Sequence, residues 1–219
     1  GFNTQAEKAL ERAAALQAII GETRNDVLFQ KGPIDWLICP PDSLTHWLDA
    51  GLPSFSAGEI EERREHAYWP RFDFWFWHGF YTRKDEMRLL EIPDNEDREL
   101  EKLEYQRNRF SALNPMTTLF VWSNSQNNLF PDVFRQDEAK HYRLTDARIE
   151  RIEESLDQYF GNECRVLFVT RDDRCDPSAL SRANVFVLPE EQSEWKGADQ
   201  DWNRILAAEL TGSDYPEAI

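Results

Sequence analysis

"MTTLFVWS" (Met116–Ser123), "TDARIERIEESLDQYFG" (Thr145–Gly161) and "CRVLFVT" (Cys164–Thr170) follow one another in the second half of this chain. The first and third are short apolar runs of strand length. The second places Ile149, Ile152, Leu156 and Tyr159 at helical spacing, with Thr145 positioned as a cap and Gly161 as a stop. "DPSALSRA" (Asp176–Ala183) then reads as a short helix, "NVFVLP" (Asn184–Pro189) as a strand and "DQDWNRILAAEL" (Asp199–Leu210) as a closing helix. This βαβαβα rhythm predicts parallel strands joined by right-handed crossovers. The expected fold is α/β: a layered, mostly parallel sheet with flanking helices.

In a parallel sheet, ligands gather beyond the carboxyl ends of the strands. The polar loops there are "SNSQNN" (Ser123–Asn128) and "TRDDR" (Thr170–Arg174). They make Ser123, Asn124 and Arg171 candidate ligand contacts. Loops after strands are commonly polar for solvation alone.

The first half is organised differently. Thr4 and Glu7 form a capping box before a helix that Gly21 stops. "GPIDWLICPPDS" (Gly32–Ser43) reads as an extended segment, and "SLTHWLDAG" (Ser43–Gly51) as a short helix capped by Asp42 or Ser43. Ser56 and Glu59 suggest a second capping box, opening a charged helix that His66 ends. Next comes "YWPRFDFWFWHGFY" (Tyr68–Tyr81), in which nine of fourteen residues are aromatic. Phe72, Phe74 and Phe76 alternate with Asp73, Trp75 and Trp77, as in a strand covered on both sides. "IPDNEDRELEKLEYQRNRFSAL" (Ile92–Leu113) is a long helix with Leu100, Leu103, Arg107 and Phe110 along one face.

The 219 residues fit one domain, 1–219, with no Gly/Ser or Pro-rich tether. Twenty-five Lys and Arg face 41 Asp and Glu, a net charge of −16. That balance argues against nucleic acid and anionic membrane partners, which need a basic footprint. No apolar stretch approaches the roughly 20 residues that span a bilayer. The three cysteines lack metal-ligand spacing and suit a reducing compartment, so a cytoplasmic location is expected, with no metal and no cofactor.

Among the four histidines, His78 closes the apolar strand and precedes Gly79, where the backbone can turn. A histidine there suits a general base; a hydrogen-bonded structural histidine is the plainer reading. Asp35, between Ile34 and Trp36, is an acid in an apolar segment and needs a partner or a site. Arg107 and Arg109 are candidate partners, of which one can face a pocket. "WKGADQDW" (Trp195–Trp202) reads as a packing corner or, less often, a sugar-stacking surface.

These pieces resemble a bacterial family of unknown function assigned as papain-like cysteine peptidases. "GFNT" (Gly1–Thr4) is similar to its opening, "IDW" (Ile34–Trp36) to its second motif and "HGF" (His78–Phe80) to its third. Arg107–Arg109 and "WKGADQDW" match the later ones. The resemblance implies a site built from Thr4, Asp35 and His78, with Trp36 and one arginine lining it. Thr4 stands where the family has a nucleophilic cysteine, and Gly79 where an acid follows the histidine. Ordinary thiol-protease activity is therefore not expected.

Three readings stay open. One is a non-peptidase relative that binds a small polar molecule or glycan, such as a sugar or sugar phosphate. Another is a hydrolase or transferase with His78 as base, Asp35 orienting it, and Thr4 or water as nucleophile. The third is an interaction module using exposed tryptophans.

Overall fold

The computed structural model describes residues 33, 37–84, 87–125, 140–188, 201–202 and 204–206. The Thr4–Gly21 helix, Asp35, Trp36 and most of "WKGADQDW" lie outside the described residues.

Strand β1 (Leu37–Ile38) leads through Cys39 and Pro40 into helix α1 (Pro41–Asp49). Pro41 starts the helix, where a missing N–H costs nothing. Neither Asp42 nor Ser43 caps it; Pro40 holds the cap position without a side-chain bond. The Asp42 carboxylate instead accepts from Arg148, at 2.7 Å.

Only the Glu59 half of the expected Ser56–Glu59 capping box forms. The Ser56 N–H donates to Glu59 Oε2 at 2.9 Å, and the Glu59 N–H donates to Ser56 O at 3.0 Å. These bonds close a turn, however, and no helix follows. Strands β2 (Glu61–Arg63) and β3 (His66–Trp69) form a hairpin instead. Its central residues Arg64 and Glu65 have φ of 50° and 64°, the twin left-handed turn that matches strand twist. The long-range burial of Ala67 and Trp69 outweighs the local helix signal.

The aromatic run is a second hairpin rather than one strand. β3 turns at Pro70–Asp73 into β4 (Phe74–Phe76), and Asp73 takes φ of 53° while accepting the Tyr68 hydroxyl at 2.8 Å. The sheet is antiparallel, in the order β1-β4-β3-β2. Its inner face sets Trp69, Phe74 and Phe76 against Trp47, Phe55 and Phe80. Its outer face carries Ile38, Tyr68 and Trp75, covered by Tyr142. Both faces are buried, as the alternation predicts.

Hairpin β5 (Tyr81–Lys84) and β6 (Met87–Leu90) comes next, then helix α2 (Ile92–Ser111). Leu103 and Phe110 of α2 are buried as expected. Buried Asn95 ties hairpin to helix, donating to Glu91 O at 2.7 Å and Thr82 Oγ1 at 3.1 Å.

The second half has the expected α/β arrangement. Strands β7 (Leu119–Ser123), β8 (Arg165–Thr170) and β9 (Val185–Val187) pair in parallel, with helix α3 (Asp146–Phe160) in the first crossover. Thr145 caps α3 by accepting the Arg148 N–H at 3.2 Å, and Gly161 ends it at φ of 67°. Ile149, Ile152 and Leu156 pack with Phe120, Trp122 and Phe168 in a core that continues into the first half. Trp202, Ile205 and Leu206, from a helical stretch, cover Leu167 and Val169 on the other face. The parallel pairing is confined to 119–188, while the first half contributes antiparallel ladders. No helix among the described residues is long and apolar enough to cross a membrane.

Replacing Arg64–Glu65 with Asn-Gly relieves two left-handed residues, and stability in denaturant unfolding is expected to rise by about 1 kcal/mol. A helix at this position would instead lose stability on receiving glycine.

Candidate functional site

β7 ends at Ser123 and β8 at Thr170, so the carboxyl edge of the parallel sheet is formed by the residues just beyond them. Ten described polar or charged residues are buried, and six of them lie here: Ser123, Asn124, Ser125, Thr170, Arg171 and Arg174. Buried polar groups are stable only when hydrogen-bonded.

Asn124 meets that requirement in full. Its amide nitrogen donates to Tyr142 O at 3.0 Å and Arg174 O at 3.3 Å. Its side-chain oxygen accepts from Thr170 Oγ1 at 2.6 Å, and its carbonyl accepts from Arg174 Nη1 at 2.6 Å. The sequence marks Asn124 as a ligand contact; its bonds make it the residue that positions the edge. Ser123 Oγ accepts the Ser125 N–H at 3.1 Å and lies 2.8 Å from Ser125 Oγ.

The charge at this edge comes from Arg171 and Arg174. Both are more than nine-tenths buried, and they share Asp173, which is half exposed, at 3.4 Å and 3.8 Å. Burial, with Arg171 adding to it and Asp173 opposing it, pushes the Arg174 pKa down to about 10. The sequence singles out Arg171 but passes over Arg174. The available signal was a second arginine three residues on in the same strand-end loop.

His78 stands on a different surface. It is exposed, and its Nδ1 lies 3.3 Å from Arg88 Nη1. Arginine can only donate, so Nδ1 accepts and the ring proton sits on Nε2. Partial burial, then Arg88, Lys102 and His66, hold its pKa below the usual 6.5. A base oriented by Asp35 through Nδ1 would need a proton on that nitrogen. The Arg88 contact opposes that arrangement. His66, stacked on Trp77 at 4.2 Å, is likewise lowered, chiefly by burial.

Arg107 donates to Leu52 O and Ser54 Oγ, each at 3.0 Å, and Arg109 lies over the Tyr105 ring at 5.5 Å. Both contacts are within the scaffold. Thr4, Asp35 and Trp36 lie outside the described residues. Beside His78, Gly79 closes a narrow cleft lined by Pro33, Leu37, Glu99, Lys102 and Gln106, with room for about one water. A Cβ on Gly79 would meet Glu99 Oε2 at 3.4 Å. The buried Glu99 carboxylate, bound by Arg98 and Lys102, thus lies against the glycine that follows the histidine.

The three cysteines are buried and free. Cys39 precedes α1, but burial raises its thiol pKa. Burial pushes Cys164 up to about 12, with Asp157 adding to it, and Cys175 up to about 11.

Comparison with known proteins gives no match to a family model, a curated protein or a solved structure.

Two outcomes are expected. Native protein at about pH 7.5 leaves all three thiols unreacted with a thiol-specific reagent, and unfolded protein exposes them, because buried thiols ionise poorly. Stability also depends on His66 and His78, whose folded pKa values lie below the unfolded 6.5. Their contribution is present above about pH 6.5 and is lost as pH falls, since the unfolded chain then binds more protons. The melting temperature of a His66→Gln/His78→Gln variant should therefore fall less between about pH 7 and pH 5 than that of the parent.

Proposed function

We propose that this chain binds a small anionic, polar ligand of the sugar-phosphate class at the carboxyl edge of its parallel sheet, and is not a thiol peptidase. Arg171 and Arg174 would hold the anion, with Ser123 and Ser125 lining the polar part. One observation carries this reading: two buried arginines, Arg171 and Arg174, lie close enough to lower one another's charge stability at the carboxyl edge of the sheet, beside half-exposed Asp173. Two cations side by side in low dielectric repel one another, and an anion between them relieves that repulsion. The setting at a strand-end crevice supports the same assignment.

The peptidase-like resemblance enters only as a distant relationship. Thr4 replaces the thiol, and burial raises the pKa of every cysteine. The donor tautomer of His78 weighs against its use as a base. Trp47, Trp69, Trp75, Trp122 and Trp202 are all buried, which weighs against docking through exposed tryptophans. Free thiols suit a cytoplasmic setting, and the acidic charge disfavours nucleic acid.

The test is a thermal-shift and calorimetric comparison of a hexose phosphate with its parent hexose, on the parent protein and on Arg171→Met. The phosphate should stabilise the parent protein and the hexose should not. The unliganded melting temperature of Arg171→Met is measured alongside, so that a loss of fold is distinguished from a loss of binding. The same change should weaken phosphate-ester binding by about 10- to 100-fold, as for loss of a charged hydrogen bond. An unchanged response in Arg171→Met would overturn the reading.

A further inference from the structure

The carboxyl edge of the parallel sheet already contains an anion. Arg171 Nε lies 3.4 Å and Arg174 Nε 3.8 Å from the same oxygen, Oδ1 of Asp173. Both distances exceed the roughly 2.7–2.9 Å of a strong charge-assisted bond. The Asp173 side chain is half exposed, whereas the two guanidinium groups beside it are buried. A carboxylate placed in this way is attracted to both cations and stays in contact with water.

The main chain around Asp173 is fixed without help from that carboxylate. The Arg174 N–H donates to Arg171 O at 3.0 Å and closes a 3-10 turn at Asp172–Arg174, which brings residues three apart together. The Asp173 N–H donates to Asp172 Oδ1 at 2.7 Å, and Asp173 O accepts from Arg143 Nη1 at 3.0 Å. Arg143 also donates to Cys175 O at 2.8 Å and to the Asp176 carboxylate. Arg174 is anchored separately, its Nη1 donating to Asn124 O at 2.6 Å. The Asp173 side chain can therefore swing into solvent while the loop keeps its shape. A site whose cations are held in advance loses less entropy when a ligand arrives.

We propose that Asp173 is a resident anion that the ligand displaces, and that it limits the site to phosphomonoester dianions by keeping carboxylates out. The inference rests on the reading of the carboxyl edge as an anion site. A carboxylate entering beside the two arginines exchanges like for like and gains little. A phosphomonoester carries a charge of about −1.5 to −2 near pH 7 and has more acceptor oxygens than a carboxylate. It outcompetes Asp173 where a monoanion does not. Displacement costs the attraction between Asp173 and the arginines whatever the ligand, so Asp173 weakens every anion by a similar factor and only the stronger class stays bound. In the unliganded protein the same carboxylate opposes the repulsion that Arg171 exerts on Arg174.

The experiment is a calorimetric titration of the full chain and of its Asp173→Asn and Asp173→Ser variants at about pH 7.5, where the ester is a dianion. The probes are a hexose phosphate and a hexuronate, which carries a single carboxylate. Both variants keep the main-chain bonds of residue 173, and their unliganded melting temperatures check the fold. The hexose phosphate is expected to bind each variant about 3- to 10-fold more tightly than the parent, the effect of removing a partly exposed ion pair. The hexuronate is expected to bind the variants measurably and the parent not at all. If the parent binds the hexose phosphate and both variants bind it equally or more weakly, the displacement is refuted and the carboxyl-edge site stands. A hexuronate that binds the parent as tightly as the hexose phosphate refutes it in the same way. Absence of binding to the parent and to both variants overturns the site and this inference together.

Discussion

A buried amide with every hydrogen-bonding group engaged constrains the second half of this protein. Asn124 is 2% exposed, and it holds Tyr142, Thr170 and Arg174 through its side chain and carbonyl. Each polar group left unsatisfied there would cost about 1–3 kcal/mol, so the contacts form together or the edge does not form. They join three stretches far apart in sequence: the end of β7, the approach to α3 and the loop after β8. Leu144 adds a backbone clamp, donating to Arg174 O and accepting from the Asp176 N–H, each at 2.8 Å. The closeness of Arg171 and Arg174 follows from this geometry. They are adjacent because the loop that carries them is fixed from both sides.

The first half depends on a different constraint, the covering of both faces of the β3–β4 hairpin. The inner face builds the shared core, and the outer face is closed by Tyr142. Tyr142 therefore belongs to both systems: its ring packs on Trp75 and Tyr68, while its carbonyl accepts from Asn124. The end of the aromatic run orders the next hairpin. Trp77 stacks on His66, His66 bonds Tyr81, and Tyr81 supports Arg88. Packed aromatic residues here set the position of a cation several residues away in sequence.

What was legible in the sequence follows from where its signals originate. The parallel half was readable because strand length, helical spacing, Thr145 and Gly161 are local and agree with one another. The candidate loops were readable because topology places them. The Ser56–Glu59 box misled because Glu59 reaches back to the Ser56 N–H in a turn as readily as at a helix start, while the Glu59 N–H goes to the Ser56 carbonyl instead of its side chain. The β5–β6 hairpin left little trace: "YTRK" and "MRLL" lack alternation, and Asp85 is the one turn-forming residue type between them. Asn124 read as a ligand contact because its partners are 18, 46 and 50 residues away. Arg107 read as a pocket residue, but Leu52 takes φ of 55° at the end of α1, and its carbonyl there receives the guanidinium.

The arginines distinguish structural from functional charge. Acids outnumber bases 41 to 25, so the composition makes an arginine beside a carboxylate the ordinary outcome. Arg143 with Asp176, Arg148 with Asp42, Arg151 with Asp49 and Arg182 with Asp146 and Glu153 follow that expectation and join elements to one another. Arg171 and Arg174 have Asp173 beside them as well, but they also set one buried cation close to another. A polyanion approaching this chain meets the repulsion of the whole acidic surface. A compact dianion behaves differently. Salt screens exposed charges beyond about 8 Å under physiological conditions, so at contact it responds to the two arginines beside it more than to the distant acids. A net charge of −16 is therefore compatible with the small anionic ligand proposed for the carboxyl edge.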